Sequence, residues 1–141
     1  MSVNARAYQQ YRNSVVETAS PGRLLLMLYN AAIRNLDAAH RAIEDQNTVQ
    51  ANDCLLKAQD ILLELMSTLD MEYEIAKQLL SLYDYMYRQL IQANVKKDVE
   101  LVDEVRGFLV ELRDTWQEAI KRNVSTSTSN ADKTQRVCVK G

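Results

Sequence analysis

Apolar residues recur along this chain at spacings of three and four, in four long stretches separated by short polar breaks. This spacing is typical of α-helices that pack one face against a core. The predicted helices span about residues 20–45, 48–69, 72–93 and 98–122. Because the connections are only a few residues long, each helix is expected to run antiparallel to the next. The pattern therefore predicts an all-α fold, an antiparallel up-down-up-down four-helix bundle.

Capping residues support three of the predicted helix starts. Ser20 is a good N-cap, and Pro21 suits the first helical position, where a backbone N–H is not needed. Asn47 or Thr48 can cap the second helix, and Asp98 can cap the fourth. We therefore expect the first helix to begin at the chain's one proline rather than to be broken by it.

The two ends of the chain differ in composition from the helical region. Residues 1–19 carry a few apolar side chains, enough to dock on a surface and too few to fold alone, and are interpreted as an N-terminal arm. Residues 123–141 are polar and rich in Ser and Thr, so they bury too little apolar surface to offset the entropy lost on ordering. We expect a disordered C-terminal tail after one bundle domain at 20–122.

Three of the predicted helices carry more apolar positions than one core face needs. In the first helix the apolar arc is roughly 200° wide near the N-terminus, whereas a surface helix uses about 100°. The surplus positions are Leu26, Tyr29 and Ile33 in the first helix, Leu56, Leu63 and Met66 in the second, and Ile75, Leu82 and Met86 in the third. They are either extra core positions or an exposed apolar surface that suits a partner helix.

Composition and charge narrow the function classes. The 141 residues carry a formal net charge of −2, which offers no basic field for a phosphate backbone, so nucleic-acid binding is not expected. The N-terminus lacks the apolar stretch of a signal peptide, and no apolar run approaches the ~20 residues of a membrane span. Cys54 and Cys138 lie outside any CxxC pair, which indicates free thiols. A cytoplasmic protein without membrane insertion is expected.

The residues that metal and catalytic sites require are scarce. His40 is the single histidine, so neither the paired Glu-x-x-His motifs of a di-iron bundle nor a zinc site is supported. No glycine-rich phosphate loop or catalytic triad stands out, and we predict no metal, no cofactor, no catalytic residue and no enzymatic activity. Two alternatives stay open. One is a histidine-phosphotransfer or other signalling bundle that uses His40, although the lysine and glycine expected after such a histidine are missing. The other is a bundle that oligomerises through its surplus apolar positions.

Short motifs at fixed order and spacing carry a family resemblance over about residues 8–120. They are Tyr8-x-x-Tyr11, Thr18-Ala19-Ser20-Pro21, Leu24-x-x-x-Leu28-Tyr29, Ile61-x-x-Glu64-Leu65, Leu69-Asp70, Leu79-x-x-Leu82-Tyr83, Ala93-Asn94 and Leu109-x-x-Leu112-Arg113-x-x-Trp116. In these motifs the chain resembles the FliS family of flagellin-specific flagellar export chaperones. One departure is Asn30-Ala31, where an acidic residue and a glycine are expected.

The resemblance implies a chaperone in the cytosol that uses neither ATP nor metal. It would bind the C-terminal segment of flagellin, prevent premature polymerisation and assist delivery to the flagellar type III export gate, with other flagellar regulators as further partners. The nine surplus apolar residues are then the candidate flagellin-binding positions. The resemblance also implies that the N-terminal arm, through Tyr8 and Tyr11, covers part of that surface when flagellin is absent.

Overall fold

A computed structural model describes the backbone of residues 21–140 and the side chains of 22–122. It contains four helices in this region: α1 (Pro21–Glu44), α2 (Thr48–Ser67), α3 (Glu74–Lys96) and α4 (Val99–Lys140). α1 packs against α2 and α4, and α3 packs against the same two helices. Within the described residues, α1 and α3 therefore lie diagonally across a four-helix bundle. The predicted all-α class and bundle architecture are confirmed.

Local chemistry explains where the helices begin. α1 starts at Pro21, as predicted, whereas its predicted cap, Ser20, lies outside the described residues. The side chain of Asn47 accepts a hydrogen bond of 3.1 Å from the backbone N–H of Gln50, which caps α2. Asp98 accepts one of 2.9 Å from the backbone N–H of Glu100 in the first turn of α4. Each contact satisfies a backbone donor that the helix itself leaves without a partner.

The connection between α3 and α4 depends on a left-handed residue that is not glycine. Lys97 has a φ of 52°, a conformation that costs an ordinary residue about 1–2 kcal/mol. Its ammonium group donates hydrogen bonds of 2.6 Å to the backbone carbonyl and to the side-chain oxygen of Asn94. These bonds satisfy a carbonyl at the end of α3 and place a positive charge at the negative end of the helix dipole.

The C-terminal end of α4 differs from the sequence prediction. The backbone is helical as far as Lys140, whereas the pattern predicts an end near Arg122 and disorder beyond it. Residues 123–140 contain neither proline nor glycine, so no residue in this stretch forces the helix to stop. The side chains beyond 122 lie outside the described residues, and the division of the chain into arm, bundle and tail stays a prediction.

The core runs the length of the bundle and draws on all four helices. Its fully buried side chains include Leu36 from α1, Leu55, Leu62 and Leu65 from α2, Leu90 from α3, and Val102, Val105 and Leu109 from α4. One polar contact crosses this core: the hydroxyls of Tyr29 and Tyr83 share a hydrogen bond of 2.6 Å between the diagonal helices. Burial raises the pKa of both hydroxyls, so both remain neutral at physiological pH.

The tyrosine pair yields a prediction about stability. Tyr83→Phe leaves the buried Tyr29 hydroxyl without this partner, and an unsatisfied buried group costs about 1–3 kcal/mol. We expect the free energy of unfolding, measured by urea denaturation, to fall by that amount. Tyr29→Phe together with Tyr83→Phe removes both hydroxyls and is expected to recover part of the loss. Additive losses in the double variant would show that the two hydroxyls are not energetically coupled.

Candidate functional site

The interface between α1 and α4 is held by a row of polar contacts. They join Asn30 to Arg113, Asp37 to Arg106, His40 to Asp103, and the indole N–H of Trp116 to the backbone carbonyl of Gly22. The pairs follow one side of each helix, at intervals of eight, seven and three residues along α1 and of three, seven and three along α4, which fixes the antiparallel register of the two helices. On this side of the bundle, the polar side chains of α1 and α4 are therefore satisfied by contacts with each other.

The surplus apolar positions of α1 lie on the side that faces α4. Tyr29 and Ile33 are buried among core residues, and Leu26 is partly buried. The side chains of Tyr29 and Ile33 are therefore extra core positions and do not form an exposed surface. Because α1 packs against α2 on one side and α4 on the other, its apolar arc has to cover two interfaces and the core between them. This double contact explains the width of the arc.

Asn52 and Asn94 fix the register of the opposite interface, between α2 and α3. The side-chain amide of Asn94 donates a hydrogen bond of 2.8 Å to the side-chain oxygen of Asn52. Since the two helices are antiparallel, each step forward along α2 from Asn52 corresponds to a step back along α3 from Asn94. Helical periodicity then places apolar residues on both sides of the interface, Val49, Leu56, Leu63 and Met66 from α2 and Leu80, Tyr87, Ile91 and Val95 from α3. We call this set the α2/α3 seam.

Exposed apolar side chains occur at several positions along the α2/α3 seam. Leu56 and Leu63 are each 46% exposed, and at one end Val49 and Val95 are 81% and 76% exposed. The α2 row from Val49 to Met66 extends about 26 Å at a rise of ~1.5 Å per residue. Exposed apolar side chains in one row of this length are uncommon on a protein that acts alone and mark an interaction site.

Charged side chains near the α2/α3 seam include two ion pairs, each within one helix. On α2, Lys57 and Asp53 form an ion pair of 3.2 Å, and on α3, Arg88 and Asp84 form one of 3.1 Å. Helical spacing also places the exposed Asp60 beside Leu56 and Leu63, and Asp84 beside Tyr87 and Ile91, so the strip combines apolar side chains with carboxylates and neutral amides.

The remaining predicted positions of α3 divide between the α4 side and the core. Ile75 is 60% exposed and Leu82 is partly buried, both on the side of α3 that carries Tyr85. The Tyr85 ring meets Phe108 of α4 edge-on, with ring centroids 6.2 Å apart, and its hydroxyl donates to the Glu104 carboxylate. This α3/α4 margin is therefore part apolar and part polar.

Met86 is buried, so it is an extra core position, one of the two alternatives for the surplus apolar residues. The sequence alone could not decide this, because Leu79, Leu80, Tyr83, Met86 and Tyr87 are all apolar or aromatic, and the core face of a helical wheel drawn from them can be rotated by one position. In the structure the core face of α3 is centred between Tyr83 and Leu90.

Sequence reasoning missed three exposed members of the α2/α3 seam: Val49 and Val95, which are its most exposed residues, and Ile91. A heptad repeat, Val49-Leu56-Leu63, is visible in the sequence and marks one outward row of α2. The α3 residues carry no comparable signal, because only the Asn52–Asn94 contact shows that they border the same interface. Tyr8 and Tyr11 lie outside the described residues, and their capping role stays a prediction.

His40 lies between two carboxylates at the α1/α4 interface. Its Nδ1 is 2.8 Å from Asp103 and its Nε2 is 3.3 Å from Glu44. Both ring nitrogens therefore have acidic neighbours, which is unfavourable for a phosphoryl acceptor because the phosphoryl group is itself negative. The hydrogen bond with Asp103 is the main reason that the pKa of His40 is raised, and Glu44 adds to the effect. Among the side chains described, no group of three or more His, Cys, Asp or Glu residues is arranged to hold a metal ion.

Comparison with known proteins identifies the family. Residues 4–123 match the family model for the flagellar protein FliS. The chain belongs to the FliS family. The resemblance inferred from the sequence motifs is thereby confirmed. In the described part of this FliS family member, no helix is long and apolar enough to cross a membrane.

Relatives from several bacteria match most of the chain. The flagellar secretion chaperone FliS of Bacillus subtilis is 42% identical over 114 residues, which cover 81% of this chain and 86% of the relative. The flagellar secretion chaperone FliS of Salmonella typhimurium is 38% identical over 117 residues, with coverage of 80% and 87%. That of Vibrio cholerae is 35% identical over 121 residues, with coverage of 84% and 89%. These relatives are secretion chaperones, and chaperones are not a class of enzyme.

The His40 contacts predict how stability depends on pH. Because the folded-state pKa is raised above the ordinary value of about 6.5, the contribution of charged His40 is complete below that pH. It is lost as the pH rises through the folded-state pKa. The contribution should be below about 1 kcal/mol, since the partners are exposed and screened by solvent.

Urea unfolding of the wild type and of His40→Gln at about pH 5.5 and about pH 8.5 measures this contribution. We expect the gap between wild type and variant to be larger at the acidic pH. A gap of equal size at both values would show that His40 is not stabilised by its carboxylate neighbours.

Proposed function

We propose that this FliS family member is a cytosolic chaperone for the C-terminal segment of flagellin. It holds this segment before export, prevents its premature polymerisation and assists its delivery to the flagellar type III export gate. The observation that carries the proposal is the α2/α3 seam, an exposed apolar strip along the bundle. The names of its relatives, flagellar secretion chaperones, support an export client for that surface.

The dimensions of the α2/α3 seam suit a helical client. A strip about 26 Å long accommodates a helix of about 17 residues at ~1.5 Å per residue. A client helix with apolar residues at intervals of three and four can place them between the α2 and α3 rows, as in other helix-in-groove complexes. The same client residues would otherwise be free to associate with other flagellin molecules.

An unfolded client needs more contact than one strip provides. Ordering a segment on binding costs about 2–5 kcal/mol, so a larger wrapped surface is required for useful affinity. Ile75 and Leu82 at the α3/α4 margin lie on the next face of α3 and can extend the contact. The N-terminal arm, with Tyr8 and Tyr11, is the proposed cover of this surface in the absence of flagellin.

Titration calorimetry with the full chain and flagellin's C-terminal segment tests the proposal. We expect a one-to-one complex and a negative heat-capacity change, which is the mark of apolar burial. Absence of binding at micromolar concentrations would contradict the proposal. Light scattering of the protein alone gives a second check, because a stable dimer would favour a bundle that oligomerises through its apolar surface.

Substitution in the α2/α3 seam predicts where the client binds. Leu56→Glu and Leu63→Glu place a carboxylate in the strip, where burial against an apolar client costs at least about 2 kcal/mol. The Kd should therefore rise roughly thirtyfold or more. Both side chains are half exposed, so helicity by circular dichroism should be nearly unchanged.

Gln117→Glu serves as the matched control, because it adds the same charge at an exposed position of α4, which does not pack against α2. Its Kd should equal that of the wild type. Equal weakening in the control, or loss of helicity in Leu56→Glu and Leu63→Glu, would contradict a client site at this seam.

A further inference from the structure

Gln59 is the buried polar residue among the side chains that the structure describes. Its side chain lies within the apolar region of α2, and the residue is only 8% exposed. Its amide makes no hydrogen bond with any residue described. The amide atoms are not among the fully buried atoms without a partner, so they keep some contact with water in the free protein. A client that covers the strip would remove this contact, and the loss is costly unless the client offers a hydrogen bond in its place.

Helical spacing places Gln59 at the α2/α3 seam. It lies seven residues after Asn52, the residue that bonds across to Asn94, and therefore points to the same side of α2. Seven residues back from Asn94 on α3 is Tyr87, which the antiparallel register places opposite Gln59. Leu56 and Leu63 flank Gln59 on the outward side of α2. The amide thus lies near the middle of the strip.

We propose that Gln59 fixes the register of the client helix by pairing with a side-chain amide, Asn or Gln, on the apolar face of that helix. This inference rests on the function proposed above. An amide offers a donor and an acceptor together, so two amides can pair as Asn52 and Asn94 do one heptad away. A single buried amide in an apolar interface specifies register in coiled coils, where any shift leaves it unpaired.

The neutral side chain of Gln59 favours a neutral partner. The carboxylates near it on the seam are Asp60 and Asp84, and Asp84 is paired with Arg88. A charged client residue placed against the Gln59 amide itself would lose hydration that this amide cannot replace, whereas a client amide loses less and regains its hydrogen bonds.

The test uses the full chain with Gln59→Met, which keeps the length of the side chain and removes the amide, and Gln117→Met on α4 as the matched control. Binding to flagellin's C-terminal segment is measured by calorimetry. We expect the Kd of Gln59→Met to rise about tenfold, as for one lost hydrogen bond, and that of Gln117→Met to stay unchanged. Gln59→Leu is a second variant that also removes the amide, and the same rise in Kd is expected for it. Urea unfolding of each variant checks that it is folded.

Alanine substitution of each Asn and Gln of the client then locates the partner. One client substitution should weaken binding to the wild-type chaperone about tenfold. The same client substitution should have little further effect on binding to Gln59→Met. Two results would overturn the inference. One is a Kd of Gln59→Met equal to or below that of the wild type; the other is that the effect of every Asn and Gln substitution in the client simply adds to that of Gln59→Met, even where a client Ser or Thr proves to be coupled instead. Both results leave the proposed chaperone function standing, whereas failure of the wild type to bind would overturn the proposed function and this inference together.

Discussion

The packing of α1 against both α2 and α4 is the constraint on which the rest of the bundle depends. The Tyr29 hydroxyl extends this role across the diagonal, where it meets Tyr83 of α3 inside the core. Polar contacts such as Asp37–Arg106 then hold the outer edge of the α1/α4 interface in one register. With α1 fixed on two sides, α2 and α4 are held in place, and α3 completes the ring between them.

This arrangement makes the two sides of the bundle chemically different. At the α1/α4 interface, charged and amide side chains satisfy one another, so little is gained by adding another chain. At the α2/α3 seam, apolar side chains such as Leu56 and Leu63 are half exposed, and their contact with water is removed only when something covers them. A chaperone needs such a division, because its fold has to remain stable whether or not the client is bound.

The sequence predicted the fold well because helices and their ends are set by local chemistry. The start at Pro21 and the caps at Asn47 and Asp98 follow from side chains next to the backbone groups that they serve. The site was harder to predict, because a helical wheel shows which residues of a helix are apolar but does not show which neighbouring helix covers them. The pattern leaves Tyr29 and Met86 open between core and exposed surface, and both are buried because helices distant in sequence cover them.

A chaperone's apolar surface has to bind a client firmly and still discriminate between alignments of that client. Apolar contact alone discriminates poorly, because a helix shifted by one turn along the α2/α3 seam buries nearly the same area. In the proposed complex the Gln59 amide changes this balance, because a shifted client would cover it without offering a hydrogen bond, whereas the aligned client would satisfy it. The cost of covering an unpaired amide would then be the physical basis of selectivity. The apolar residues around Gln59 would supply most of the affinity, and the amide would determine which part of the client binds there.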